Sequence, residues 1–391
     1  MNRLLSVVLA AAGACLAQPV DDSVPASSNV MGAQYPRIHP DGRVTFRVQA
    51  GDAQKVQLMP GSAAGSDSGL GAGPIDMAKD DRGFWTVTTK PAVPGFHYYW
   101  FIIDGVPAND NGSESYYGWG KECSGVEVPE KGVDFYDAKP VPHGDVRIRW
   151  YFSKLTGQWR QAYVYTPPDY DTGRARYPVL YLQHGAGENV TTWTKQGHAD
   201  LILDNLIAEG KAKPMLVVMD TGYATKLGAM PVASPTGGQP QIPNAFEDVF
   251  ITELIPMIDF SFRTIADREH RAMAGLSMGG RQTLQITLTH LDKFTWIGSF
   301  SAPATANFDV KTSYNGALSD AAAFNKKVHL VWIGAGTRKT ESMRAHWPST
   351  QHSTRPASTT SSLNRLPRVT NFKPGGAPST ISRQGSLGNS I

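Results

Sequence analysis

Residues 271–289 read Arg-Ala-Met-Ala-Gly-Leu-Ser-Met-Gly-Gly-Arg-Gln-Thr-Leu-Gln-Ile-Thr-Leu-Thr, and the fold of the chain is decided within them. An apolar-leaning run ends at Gly275-Leu276-Ser277-Met278-Gly279, and a helical pattern follows from Arg281 to Thr289. A strand that breaks into a helix through G-x-S-x-G is the setting of a nucleophile elbow, where the serine stands on a strained bend with its hydroxyl exposed. Gly275 and Gly279 are needed as glycines because a side chain at either position would collide with the neighbouring strand or helix. The same pentapeptide met by chance in a loop would carry neither flank. Ser277 is therefore the candidate nucleophile.

A serine hydroxyl attacks a carbonyl usefully only where N–H donors meet the oxyanion that forms, each contributing roughly 3 to 4 kcal/mol. The backbone N–H of Met278 is one such donor. The second is expected from the loop after an early strand. Upstream of the elbow, Leu180-Tyr181-Leu182-Gln183-His184-Gly185-Ala186-Gly187 is a strand running into a His-Gly-x-Gly loop of that kind. The N–H of Ala186 is the donor chosen there, and His184 reads as structural rather than catalytic.

Around these two motifs strands alternate with helices, which marks a parallel-sheet α/β domain over residues 145–346. Strands are predicted at Arg160 to Thr166, Tyr177 to Gln183, Pro214 to Met219 and Val328 to Ile333, and helices at Leu201 to Glu209 and Phe246 to Ile258. The linker Lys139-Pro140-Val141-Pro142-His143-Gly144 separates this part from residues 30–136, which show short alternating segments divided by turn residues. Val44 to Val48, Val56 to Leu58, Phe84 to Val87 and Tyr98 to Ile103 are the clearest, the last ending in the hairpin signal Asp104-Gly105. Their aromatic residues could stack on sugar rings; the reading taken is that Trp85 and Trp100 fill the core between two sheets.

Composition sets the outer limits. At 391 residues, 41% hydrophobic and 18% charged, the chain suits a large globular domain with a small one. A net charge of +3 gives no reason to expect a nucleic-acid or membrane partner, and it leaves oligomeric state open. Met1-Asn2-Arg3 followed by the apolar Leu4 to Leu16 reads as a signal peptide over residues 1–17, hence secretion to the periplasm or beyond. A lipoprotein reading of Ala12-Gly13-Ala14-Cys15 is disfavoured for want of a leucine at the start of the box. With the signal removed only Cys123 remains, so an internal disulfide is excluded and a buried small hydrophobe is expected.

These pieces resemble the esterase branch of the α/β-hydrolases that includes bacterial feruloyl esterases, acetyl-xylan esterases and trilactone esterases, of carbohydrate esterase family 1 type. The resemblance rests on Val141-Pro142-His143-Gly144, the His184 loop with Trp193 behind it, Leu254-Ile255-Pro256-Met257-Ile258-Asp259, Ala266 to Ala272 before the elbow, and Trp332-Ile333-Gly334-Ala335-Gly336-Thr337. It covers residues 30 to 346. It implies a mostly parallel sheet with helices on both faces, preceded by a small immunoglobulin-like, early-set β-sandwich of the glycogen-binding kind. It also implies an acid that orients a histidine, placed just after Gly334-Ala335-Gly336-Thr337, where Glu341 is the nearest carboxylate. Glu341 could equally be a solvated helix residue.

At its end the chain departs from the family, which carries a Gly-His-Glu-aromatic segment, a Trp-Arg-Arg run and a last amphipathic helix. Residues 347–391 instead are rich in Ser, Thr, Pro, Gly and Arg, the composition of a disordered, non-native tail. A change of reading frame accounts for it. Taking the last base of each codon from Trp347 with the first two of the next permits ALHAALDQAGINHV, an amphipathic helix running into a strand. The same frame from Arg368 permits GHEFQTWRRSLHDFAPRLFG and then a stop codon made from Gly388 and Asn389. A frameshift near His346, in the gene or in its sequencing, is therefore expected to have replaced the native ending. His346 and His352 are the only histidines after Glu341, neither in a matching motif, and His346 is the one candidate for a substitute base.

The resulting expectation is a serine esterase without metal or organic cofactor that releases feruloyl or acetyl groups from ester-decorated xylan and is impaired by loss of its catalytic histidine. A serine without a general base stays protonated and weakly nucleophilic. An acyltransferase of the mycolyl-transfer kind, or a catalytically dead polysaccharide-binding protein, are the alternatives. Loss of the last helix and strand should also expose apolar sheet surface and lower solubility.

Overall fold

The computed structural model describes residues 21–62, 67–232, 239–303 and 308–335. The expectations for the signal peptide, for Glu341, for His346 and for the tail lie outside the described residues.

The N-terminal part holds two antiparallel sheets. In the first, Val24–Pro25, Arg37–Ile38, Val44–Gln49, Phe84–Thr88 and Ala78–Lys79 pair in that order. In the second, Ser115–Gly118, Lys121–Val128, Gly95–Ile103, Val56–Pro60 and Ile75–Asp76 do so, with Val106–Ala108 also on Gly95–Ile103. Alternate residues of both sheets, among them Val44, Phe46, Val56, Leu58, Tyr99, Phe101, Val126 and Val128, enter one buried cluster, as the period of two along a strand requires. Asp104 and Gly105 both adopt positive φ, +47° and +86°, between Ile103 and Val106, which form a cross-strand pair. Trp85 joins the shared core. Trp100 does not: Tyr99 and Phe101 point inward, so Trp100 must point out, where it packs on Met59 and the buried Cys123 under the Lys121 ammonium, 3.8 Å from its ring.

Residues 145–335 are organised on a seven-stranded sheet. Its strands are β1 (Asp145–Ser153), β2 (Gln158–Thr166), β3 (Val179–Gln183), β4 (Leu216–Asp220), β5 (Arg271–Leu276), β6 (Trp296–Phe300) and β7 (Leu330–Gly334), in the spatial order β1-β2-β4-β3-β5-β6-β7. From β4 to β7 every pairing is parallel, while β1 and β2 form an antiparallel hairpin on the edge. The order reverses between β3 and β5, which is where a doubly wound sheet opens a crevice at the strand ends.

Among the described residues, helices cover the two faces unequally. On one face Val179, Tyr181, Val218 and Met273 pack beneath α2 (Phe246–Val249) and α3 (Ile255–Ser261), joined by a π turn at Phe250–Leu254, and beneath α4 (Met278–Thr289). The helical pattern anticipated from Phe246 to Ile258 thus contains a widened turn. Pro256 in its last part has no N–H to give to the preceding turn, which favours such a bulge. On the other face Leu180, Leu182, Val217 and Ala274 pack beneath α1 (Ala199–Ala208) and Trp193. Towards β7 the same face lines a cleft of about 160 Å³ with Ala272, Trp296, Phe300, Leu330 and Trp332. A last short helix, α5 (Ala321–Lys327), precedes β7.

Candidate active site

Strand β5 is buried along Arg271 to Gly275 and delivers Ser277 to the crevice, half-buried, with φ +52° and ψ −109°. Positive φ in a non-glycine residue costs on the order of 1 to 3 kcal/mol and persists only when the surroundings impose it. They do so here by two backbone bonds: the Ser277 N–H donates to the Phe300 carbonyl at 2.7 Å, and the Ser277 carbonyl accepts the Arg281 N–H at 3.0 Å. A Cβ on Gly275 would lie 2.5 Å from the Gly279 carbonyl carbon, and one on Gly279 would lie 2.5 and 2.6 Å from the Gln183 and His184 oxygens. Strand, bend and helix therefore close on each other with no room for side chains. Met278 is the first residue of α4, so its N–H has no partner within the helix and points with the positive end of the helix dipole toward the bend.

Strand β3 lies beside β5 with Gln183 opposite Gly275, which carries the His184 loop to the same crevice. His184 is buried and both ring nitrogens are engaged: Nε2 accepts the Gly222 N–H at 3.0 Å, so Nδ1 carries the proton and donates to the Gly185 carbonyl at 2.7 Å. Burial also holds its pKa below the ordinary value, keeping the ring neutral. In this geometry His184 is a fastener of the loop. The other N–H groups of the loop are spent as well. Gly185 donates to Glu188 Oε2 at 2.8 Å and Gly187 to the Tyr223 hydroxyl at 2.7 Å. Among the described residues, Ala186 alone in this turn keeps an unpartnered N–H, and Ala186 is exposed.

A polar cluster not anticipated from the sequence holds the loop after β4. Asp220, at the end of β4 and fully buried, accepts the Tyr151 hydroxyl at 2.5 Å and pairs with Arg160 at 3.2 Å. The same guanidinium donates to the carbonyls of Thr221 and Tyr223 at 2.7 and 2.9 Å. That fixes Gly222 and Tyr223, the residues that grip His184 and Gly187. An acid closing the apolar run Leu216-Val217-Val218-Met219 was the available signal for Asp220, since a carboxylate at the end of a buried strand demands donors. Glu188 is a second unforeseen member, three residues past Gly185.

Met278, Ala186, Gly275, Gly279 and Ser277 thus gather at the ends of β3 and β5. Glu341 and His346 lie outside the described residues. One group of side chains has metal-ligand spacing among the described residues, Asp21, Asp22 and His39 with ligand atoms within 4.8 Å. It belongs to the N-terminal part, and both its acids are exposed.

Comparison with known proteins was made against this geometry. The sequence profile of the Esterase family, described as "Putative esterase", matches residues 153–368. An endo-1,4-beta-xylanase/feruloyl esterase of Xylanibacter ruminicola is 40% identical over 328 residues, 82% of this chain and 42% of that protein. An esterase of Mycobacterium tuberculosis is 34% identical over 165 residues, 41% of this chain and 33% of that one. The chain therefore spans less than half the length of these curated relatives. Among solved structures, the enterobactin esterase of Shigella flexneri, crystallised in the presence of enterobactin, matches 78% of this chain and 82% of its own with a TM-score of 0.54 at 17% identity, which shows a shared fold.

Proposed function

The chain belongs to the Esterase family, its seven-stranded sheet being of the α/β-hydrolase type, and from that premise we propose that it is built as a secreted serine carboxylic-ester hydrolase. Its substrates in this proposal are feruloyl or acetyl esters on plant cell-wall xylan. The observation that carries the reading is the bend at Ser277, held at φ +52° at the start of α4, which packs on the Gln183 and His184 carbonyls just before the turn whose Ala186 N–H has no partner among the described residues. The name of the Xylanibacter ruminicola relative supports feruloylated xylan as the substrate class.

In the reaction Ser277 Oγ bonds to the ester carbonyl carbon and gives its proton to a histidine base. The carbonyl electron pair moves to oxygen, where the N–H groups of Met278 and Ala186 stabilise it in a site that needs no reorganisation. The pair then returns and the bond to the sugar oxygen breaks, that oxygen taking the proton from the base. Water repeats the sequence on the acyl-enzyme and restores Ser277. No cofactor enters the steps.

In this proposal the base belongs to a native ending that the reading frame of this chain does not encode. We propose that a frameshift near His346 removed it together with the last helix. Among the described residues the indole N–H groups of Trp193 and Trp332, both at the cleft, have no partner. Only residual turnover is expected of the printed chain, about 10³ to 10⁴ over water at most from the oxyanion donors and binding.

Release of ferulate and acetate from decorated xylo-oligosaccharides, with a trehalose acceptor run in parallel, tests the proposal. Hydrolysis that disappears in Ser277→Ala is the expected result. Transfer to trehalose in place of hydrolysis would favour the acyltransferase. Turnover indifferent to Ser277, with xylan retained by the chain in affinity electrophoresis, would favour a binding protein that uses its N-terminal sheets.

A further inference from the structure

The N-terminal sheets touch the catalytic part at the oxyanion loop itself. Tyr98, on the outward face of Gly95–Ile103, donates its hydroxyl to Glu188 Oε1 at 3.1 Å, while Glu188 Oε2 accepts the Gly185 N–H at 2.8 Å. One buried carboxylate thus clamps the loop on one side and a residue of the other domain on the second. The Tyr98 oxygen in turn accepts Nε2 of Gln196 at 2.8 Å, and Gln196, wholly buried, also donates to the Tyr117 carbonyl at 3.1 Å. Tyr117 O lies 3.4 Å from the Tyr98 hydroxyl, further than Glu188, and already receives Gln196. The single hydroxyl proton therefore goes to the carboxylate.

Two more features fit the parts to each other. The hairpin tip at Trp119 and Gly120 lies on the loop, with the Gly120 N–H donating to the Gly187 carbonyl at 2.8 Å. Gly187 stands at φ +77°, and a Cβ there would lie 3.1 Å from Gly120 N. At Gly118 a Cβ would fall 2.4 Å from Cζ of Tyr98, so the glycine leaves the space that the ring fills.

We infer that the N-terminal sheets are a working part of the oxyanion site, with Tyr98 as a positioning residue. Through Glu188 it holds the Gly185–Gly187 turn in the shape that presents the Ala186 amide to substrate. The inference rests on the esterase reading for its catalytic meaning, though not for its mechanics. Burial pushes the Glu188 carboxyl above its ordinary pKa, and the two donors oppose that push. Removing one leaves a buried acceptor short of a partner, which disfavours the clamped loop.

Hydrogen exchange on the full chain reads the mechanics directly. In Tyr98→Phe the hydrogen-bonded amides of Gly185 and Gly187 should exchange at least about tenfold faster, the loss of one charge-assisted bond, while peptides across β3 and β4 stay as in the parent. Glu188→Ala should do the same, and Glu188→Gln, which keeps an acceptor for Gly185, should restore most of the protection. Residual ester turnover reads the catalytic consequence: Tyr98→Phe should lower kcat by about tenfold or more at unchanged KM, because the donor matters only to the developing oxyanion. Unchanged exchange at Gly185 and Gly187, or a rise spread evenly over the molecule, would overturn the inference. A rise in KM at constant kcat would overturn its catalytic half. Should Ser277→Ala hydrolyse as fast as the parent, the esterase reading fails, and the exchange data alone then decide the brace.

Discussion

On one face of the seven-stranded sheet Tyr181, Val218 and Met273 disappear beneath Phe246, Phe250 and Ile286. On the other, Leu182 and Val217 lie beneath α1, while the half-buried Trp296 and Phe300 and the buried Trp332 line a cleft. Parallel strands are stable in water only with both faces covered. The catalytic pieces described above hang on β3, β4 and β5, the strands that α1, α2 and α4 enclose. In our proposal the native ending would follow β7, beside that cleft. The frameshift proposed above would account for an absent base and for that cleft together.

The strongest way to break that comparison is to restore the frame after His346 and measure both properties. Ester turnover should rise by at least about 10³-fold, since loss of a triad member costs that much or more. The dye-binding apolar surface should fall in the same chain, and the gain in turnover should vanish on Ser277→Ala. If turnover rises while the surface stays exposed, the two deficits have separate causes. Paired truncations sharpen the comparison further. Phe250, 1% exposed on the finished face, should cost about 3 to 5 kcal/mol on replacement by alanine. Phe300, half-buried at the cleft, should cost about half as much, because part of its surface already meets solvent. Equal losses in urea unfolding would show the second face to be as closed as the first.

How far the sequence foretold this arrangement depended on the range of the interaction. The elbow was legible because its constraint is local: strain at Ser277 needs glycine at 275 and 279, and both are present. The turn that leaves the Ala186 N–H unpartnered among the described residues was legible from a strand running into His-Gly-x-Gly. Strand β1 was missed, for Ile148, Trp150 and Phe152 are large, apolar and exposed, so hydrophobic alternation names the wrong face of that edge strand. Strand β6, Trp296–Phe300, also escaped, its centre being the small Gly298 and Ser299. The Tyr98–Glu188 contact joins residues 90 positions apart, and nothing in either local pattern signals the other. Trp100 was misplaced by one step of strand parity, an error that a fixed register alone could have prevented.

The smallest effect concerns how α1 is pinned over its face of the sheet. Asp204 on α1 is 2% exposed and accepts the Tyr165 hydroxyl at 2.6 Å, the Gly144 N–H at 2.9 Å and Nδ1 of His143 at 2.9 Å. The hydrogen bond to the Asp204 carboxylate is the main cause holding the His143 pKa above its ordinary value of 6.5. A histidine whose pKa is higher folded than unfolded contributes stability that is fully present below about 6.5 and is lost as pH rises through the folded value. His143 is solvent-accessible, so screening keeps the contribution small. The parent's urea midpoint should therefore decline modestly from mildly acidic to mildly alkaline pH, and His143→Gln should remove that slope while leaving Tyr165 and Gly144 on Asp204. A variant that declines as steeply as the parent would assign the pH dependence to another group, and α1 would then be held on the sheet by its apolar contacts and the two remaining hydrogen bonds.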